Sequence, residues 1–185
     1  MKYLEMLKQA IAKPEEADYS KLRESYAEWE SYCPYSRDEV HGEGLNRALD
    51  ALDWKTALAD VNFLIRENYL DIEAHSAAEI IYRAMGELEK SDFHGKFSRG
   101  MIDSILKSGD GSNFSCAYLV IDVREEYVIM KYLGLEPLSQ DLVMDESNHQ
   151  FDVFEVRNLE TREKSRLYFN VDRPKCWLDQ NYMNL

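Results

Sequence analysis

Cysteine is scarce in this chain, and so are most of the residues that would announce a cofactor. Cys33, Cys116 and Cys176 are its 3 cysteines in 185 residues. They are odd in number, widely spaced and never form Cys-x-x-Cys, so neither a disulfide framework nor a zinc knuckle is indicated. Only 4 histidines occur. Basic residues are also short: 22 Lys and Arg stand against 35 Asp and Glu, a net charge of −13. Such a field repels phosphate backbones and anionic lipid surfaces, so neither nucleic acid nor a membrane is expected as a partner. No stretch approaches the roughly 18 apolar residues of a membrane span. Glu5 and Lys8 interrupt the segment where a leader would be apolar. The chain therefore reads as cytoplasmic, or as an exported protein whose signal has been removed. No Gly-x-Ser-x-Gly elbow, phosphate-binding loop or dinucleotide fingerprint occurs.

What is present suffices for a packed interior: hydrophobic residues make up 45%, and there are 12 tyrosines. The N-terminal half reads as helices. Tyr3, Leu4, Leu7 and Ile11 recur at helical spacing before Pro14. Asp18 caps a second helix with Leu22, Tyr26 and Trp29 inward, ended by Cys33-Pro34. A third, over about 38–52, has Val40, Leu45, Ala48, Leu49 and Leu52 inward. Asp53 and Asp71 cap the fourth and fifth, whose inward residues run from Trp54 to Ile65 and from Ile72 to Met85. The sixth is placed over about 91–107, with Phe93, Phe97, Met101 and Ile105 spaced by four.

A shift of about 34 residues lays His41 on His75, Ala48 on Tyr82 and Leu52-Asp53-Trp54 on Gly86-Glu87-Leu88. In helix length, period and alternation of small and aromatic residues, positions 38–107 resemble the tetratricopeptide repeat. Glu79 and Gly95 depart from that pattern, and no proline closes either unit. The resemblance implies two stacked hairpins with Trp54 and Leu88 equivalently buried.

After the sixth helix the pattern changes. Ser108 to Asn113 is a turn cluster with Gly109 as its left-handed cap. Tyr118–Ile121 reads as a buried strand, and Asp122 with Glu125 as a capping-box-like start of a helix ending at Gly134. Strands follow near 141–144, 151–156 and 166–171, the last two forming a hairpin around 158–164. Pro174 introduces a final helical turn. The fold class is α+β: an antiparallel helix array over 1–107 packed with a small mixed α/β unit over 108–185, read as one compact domain. The strings Tyr-Cys-Pro-Tyr at 32–35, Ser-Gly-Asp-Gly at 108–111, Glu-Glu-Tyr at 125–127 and Leu-Tyr-Phe-Asn-Val-Asp at 167–172 resemble a bacterial family of uncharacterised proteins, domain of unknown function 4919. That resemblance spans nearly the whole chain and carries no activity with it.

Three groupings bear on chemistry. His75 and Glu79 lie four apart on one helix, and His94 lies on the next. A rise of about 1.5 Å per residue sets the two histidines about 10 Å apart along the helix axes, so no metal is expected. No cofactor is implied either. Glu125 and Glu126 could act as paired catalytic acids, against the plainer reading that they complement the dipole of a first helical turn. Tyr19, Tyr26, Trp29, Tyr32 and Tyr35 crowd one segment, and polar-tipped aromatics favour interfaces. Two functional readings stay open. One is a non-enzymatic interaction protein, neutralising a basic partner through the helix array or through Trp29, Tyr32 and Tyr35. The other is a hydrolase or small-ligand-binding enzyme with Asp110, Glu126 and His149 gathered between helices and sheet. Oligomeric state is not legible.

Overall fold

The computed structural model describes residues 2–35 and 38–182. Eight α-helices and four strands follow one another in these residues, with most of the helices first and the sheet last, which makes the fold α+β. Two compact units divide the chain: Met1–Arg23 with Ser36–Met101, and Glu24–Tyr35 with Ile102–Leu185. Among the described residues no helix is long and apolar enough to cross a membrane.

The first unit holds α1 (Lys2–Ala12), the start of α2 (Tyr19–Ala27), α3 (Glu39–Asp50), α4 (Trp54–Glu67), α5 (Ile72–Ala84) and most of α6 (Leu88–Leu106). Aspartates start three of them. Asp38, Asp53 and Asp71 accept hydrogen bonds from the N–H groups of His41, Thr56 and Ala74, each satisfying a donor the helix cannot. Leu45, Ala48, Ala57, Val61, Leu64, Ala74, Ala78 and Ile81 form one buried cluster, with Trp54 partly buried against it.

The offset that carries His41 onto His75 recurs in the backbone of this unit. Asp53 N–H reaches the Ala48 carbonyl at 2.8 Å, as Glu87 N–H reaches that of Tyr82 at 2.8 Å. Leu52 and Gly86 hold the same left-handed conformation, φ 55° and 80°. Their surroundings differ. Leu88 is 66% exposed, so the expectation that it is buried like Trp54 is corrected, and the tetratricopeptide resemblance stays one of spacing. Val40, Leu52 and Met85 are likewise turned outward, against the inward positions assigned to them. A helical stripe locates a face but not its limits, and these residues lie at or beyond the helix ends.

Leu52 is 64% exposed and occupies a conformation that L side chains resist by about 1–2 kcal/mol, while burying little in return. Leu52→Gly should therefore stabilise the protein by roughly 0.5–1 kcal/mol. A rise in the urea midpoint checks this; an unchanged or lower midpoint refutes it.

In the second unit, β1 (Tyr118–Leu119), α7 (Arg124–Tyr132), β2 (Leu135–Met144), β3 (Gln150–Asn158), β4 (Lys164–Asn170) and α8 (Asp172–Tyr182) follow the end of α6. Strand order is β1-β4-β3-β2, with β1 parallel to β4 and the other pairs antiparallel. The strand expected at 118–121 keeps 2 residues, the one expected at 141–144 has 10, and the final helical turn is a helix of 11. Gly111, not Gly109, is the left-handed residue of the turn cluster, at φ 69°. Gly109 is held by space instead: a Cβ there would meet the Cys116 carbonyl oxygen at 2.2 Å. Side chains alternate across β3. Phe151 and Val153 pack with Ala117 on one face. Asp152, Phe154 and Val156 point to the other, where Tyr127 of α7 meets Phe154 edge to face at 5.8 Å.

Candidate functional site

Face alternation carries Asp152 inward from the central strand, and the first turn of α7 carries Glu126 inward on the same side as Ile129 and Met130. Glu126 is 1% exposed and Asp152 8%. Asp152 is the acid that acts most strongly on Glu126, whose buried Oε1 has no hydrogen-bond partner. Burial first, and then the Asp152 carboxylate beside it, push the Glu126 carboxyl up to about 10. It is a neutral acid at pH 7. Glu126 does stand in the first turn of α7, where an ionised acid would complement the dipole, but it is buried toward the sheet beside Asp152.

The loop before α7 is built around the same helix end. Glu125 accepts from Ile121 N–H at 2.8 Å, and Tyr32 donates its hydroxyl to the Ile121 carbonyl at 2.6 Å. Both backbone groups of Ile121 are thus satisfied by side chains. Asp122 accepts from Arg124 N–H at 2.9 Å and pairs with its guanidinium at 2.5 Å. Burial raises Asp122 to about 6 even so, with Arg124 opposing the rise.

Segment 24–35 supplies the aromatic part. Tyr26 and Tyr32 are buried, packed edge to face at 5.3 Å, with Trp29 half-buried 6.2 Å from Tyr26. Tyr35 is 39% exposed and lies 5.8 Å from the ring of Trp177 on α8, which is half-buried. Desolvation first, then the carboxyl groups of Asp152, Glu126, Asp122 and Asp179, raise its phenol. Of the aromatics read as an interface, Tyr32 is core, Trp29 is partly covered, and Tyr35 presents its ring.

Asp110, Glu126 and His149 have separate partners. Asp110 is exposed and accepts from Ser112 N–H at 2.9 Å, a structural turn. His149 is exposed and its Nδ1 lies 2.6 Å from Asp172, which also accepts from Gln150 N–H at 2.7 Å. That hydrogen bond to Asp172 raises the His149 imidazole. No hydrogen bond or ion pair joins the three among the described residues. Asp152, the acid that acts most on Glu126, passed unweighed in the sequence. Its signal is the alternation of that strand, which sets Asp152 on the same face as the apolar Phe154 and Val156.

The first unit holds a second cluster. His75 and His94 approach Nδ1 to Nδ1 at 3.0 Å, and His75 Nε2 lies 3.0 Å from the Tyr69 carbonyl. The axial separation inferred from sequence is corrected. Helix α6 starts at Leu88, earlier than the Ser91 read from the sequence, which removes about 4.5 Å of the inferred offset of about 10 Å, and the side chains meet across the rest. Phe97 stacks on His75 at 4.3 Å and Tyr82 on His94 at 5.4 Å. One repeat interval earlier a similar arrangement stands in place of this one: His41 lies 2.7 Å from Asp60 and stacks on Phe63 at 3.8 Å. Burial lowers His75 to about 3, with His94 adding to the shift, and lowers His94 to about 4. Among the described residues no group of three or more His, Cys, Asp or Glu could hold a metal ion.

A family model matches residues 1–180 under the description Domain of unknown function (DUF4919). The chain belongs to that family. Neither a curated protein nor a solved structure matches it. Membership of DUF4919 brings no activity, so the chemistry of the site must carry the functional reading.

Proposed function

We propose that the protein is a binding protein for a basic protein segment, which it receives on Tyr35 and Trp177. The observation that carries this reading is the setting of Tyr35: its ring is 39% exposed against Trp177, while Asp152, Glu126, Asp122 and Asp179 act on its hydroxyl. An aromatic face attracts a cation by about 0.5–2 kcal/mol, and more where it is desolvated. The ionised carboxylates nearby add to that attraction, and the net charge of −13 steers a basic partner toward the chain. The hydrolase reading has less support. A general acid must reach its substrate, and Glu126 is 1% exposed.

The test uses a short glycine–serine peptide carrying two arginines, followed by the Trp177 indole N–H resonance. That resonance should shift on titration of the wild type, and Tyr35→Ala and Trp177→Leu, both measured by calorimetric titration, should each weaken binding about five- to tenfold, the loss of a cation–aromatic contact. Equal affinity for wild type and both variants would sink the proposal.

A further inference from the structure

Strand β2 stands last in the order β1-β4-β3-β2, so one of its edges faces no other strand. Its pairing with β3 fixes which backbone groups lie on that edge. Val171 N–H, just past β4, bonds to the Gln150 carbonyl at 2.9 Å, so Gln150 turns its polar groups toward β4. By the alternation of an antiparallel ladder, Asp152 and Phe154 do the same. Their partners across the ladder, Met144, Leu142 and Gln140, therefore turn theirs away from β3. Asp145 N–H, one residue on, reaches the His149 carbonyl at 3.0 Å, as this phase requires. No turn or loop among the described residues hydrogen-bonds Gln140, Leu142 or Met144.

Open edges are usually blunted by lysine, proline or a bulge. Pro137 and the register shift beside it blunt the start of β2. From Ser139 to Met144 neither device recurs, and between Lys131 and Arg157 no lysine or arginine occurs. The two faces of this run differ in chemistry. Leu142 and Met144, 54% and 58% exposed, share the face on which Phe154 meets Tyr127. Asp141 lies on the other face, exposed and without an ion pair among the described residues.

We propose that β2 receives an extended segment of a basic protein as an added antiparallel strand along Gln140–Met144. Apolar side chains of the segment lie against Leu142 and Met144, and basic ones stand beside Asp141. Backbone bonds supply the affinity of such an added strand, and its alternate side chains supply the choice of partner. A second copy of this chain is the poorer occupant, because it brings a net charge of −13 against its like. The same charge draws a basic segment in. This surface does not rest on Tyr35 and Trp177.

The test titrates the intact protein with a short capped peptide of alternating lysine and valine. Amide hydrogen exchange at Gln140, Leu142 and Met144 should slow by about tenfold or more on saturation, while Asp141 and Val143, whose N–H groups face β3, change little. The same peptide N-methylated at the amides that face β2 should bind about tenfold weaker or worse. Asp141→Lys, at an exposed position, should weaken binding by about three- to tenfold. Binding that leaves the three amides unprotected, or equal affinity for the N-methylated peptide, overturns the proposal. So does a glutamate–valine peptide that binds as tightly. Protection of these amides without peptide, growing with protein concentration, would assign the edge to a second copy and overturn it too. Failure of the lysine–valine peptide to bind sinks the added strand but leaves the Tyr35–Trp177 reading in place, since that reading is tested with a peptide lacking apolar residues.

Discussion

Glu126→Gln should make the protein more stable at neutral pH. In the folded chain the carboxyl is pushed up to about 10 from its ordinary value of 4.5, by burial and by Asp152. A raised folded value means that this group contributes most below pH 4.5, and that its contribution is lost as pH rises from there toward 10. Holding the acid neutral at pH 7, when the unfolded chain would ionise it, costs on the order of 3 kcal/mol at about 1.4 kcal/mol per pH unit. Glutamine carries no such cost. Its volume is nearly the same, so the surrounding packing is kept. The gain should be near zero at pH 4 and on the order of 3 kcal/mol at pH 7. Urea unfolding of wild type and variant at pH 4, 5.5 and 7 reads it. A difference that does not grow with pH would show that Glu126 is not held neutral.

The helical unit should fail on the opposite side of the pH scale. His75 and His94 are lowered to about 3 and about 4 from an ordinary 6.5, chiefly by burial. A depressed imidazole value means that the stability is fully present above pH 6.5 and is lost progressively as pH falls from there through about 4 and then about 3. The geometry explains why the proton is refused. His75 Nε2–H donates to the Tyr69 carbonyl, so its Nδ1 accepts from His94 Nδ1–H at 3.0 Å, and a second proton on His75 would set two donors head to head. Phe97 and Tyr82 cover the rings and keep water away. The loss at pH 4 is on the order of 3 kcal/mol for His75 alone, and the coupled neighbour makes the two effects less than additive. Proton resonances of these imidazoles should show no titration between pH 5 and 8 while the fold persists, followed by cooperative unfolding at lower pH. A normal titration near 6.5 in the folded protein would refute the arrangement.

These two clusters differ in how much of them the sequence disclosed. The interval linking His41 to His75 was legible, and it recurs as two similar clusters: His41 with Asp60 and Phe63, and His75 with His94 and Phe97. The approach of His94 to His75 was not, because helix ends are poorly marked when no capping side chain announces them. Three residues at the start of α6 shift a side chain by about 4.5 Å along the axis, nearly half of the separation of about 10 Å read from the sequence.

For the sheet unit, Glu126 was singled out from sequence with the wrong companions. Asp110 and His149 carry chemistry in their side chains, which is what a reader of residues notices. The structure gives each of them a local partner instead, Ser112 and Asp172. Asp152 lies far beyond Glu126 along the chain, on an element whose place in the strand order β1-β4-β3-β2 no local pattern encodes. The aromatic crowding between Tyr19 and Tyr35 was visible as composition. Which ring turns outward was decided by Tyr26 and Tyr32 packing on each other and by the Tyr32 bond to Ile121.

By itself, then, the sequence determined what depends on neighbours along the chain: aspartate caps, periodic stripes, the hairpin loop at 158–164, the α+β class and the family; the second helix, read as running to Cys33-Pro34, ends at Ala27. Local hydrogen bonds and side-chain periodicity act over a few residues, so they can be read where they stand. Only the tertiary structure decided which acid acts on which, which histidines touch, and that Leu88 faces water while Glu126 does not. Those outcomes depend on burial and long-range pairing, whose energies belong to groups distant in the chain and brought together only by folding.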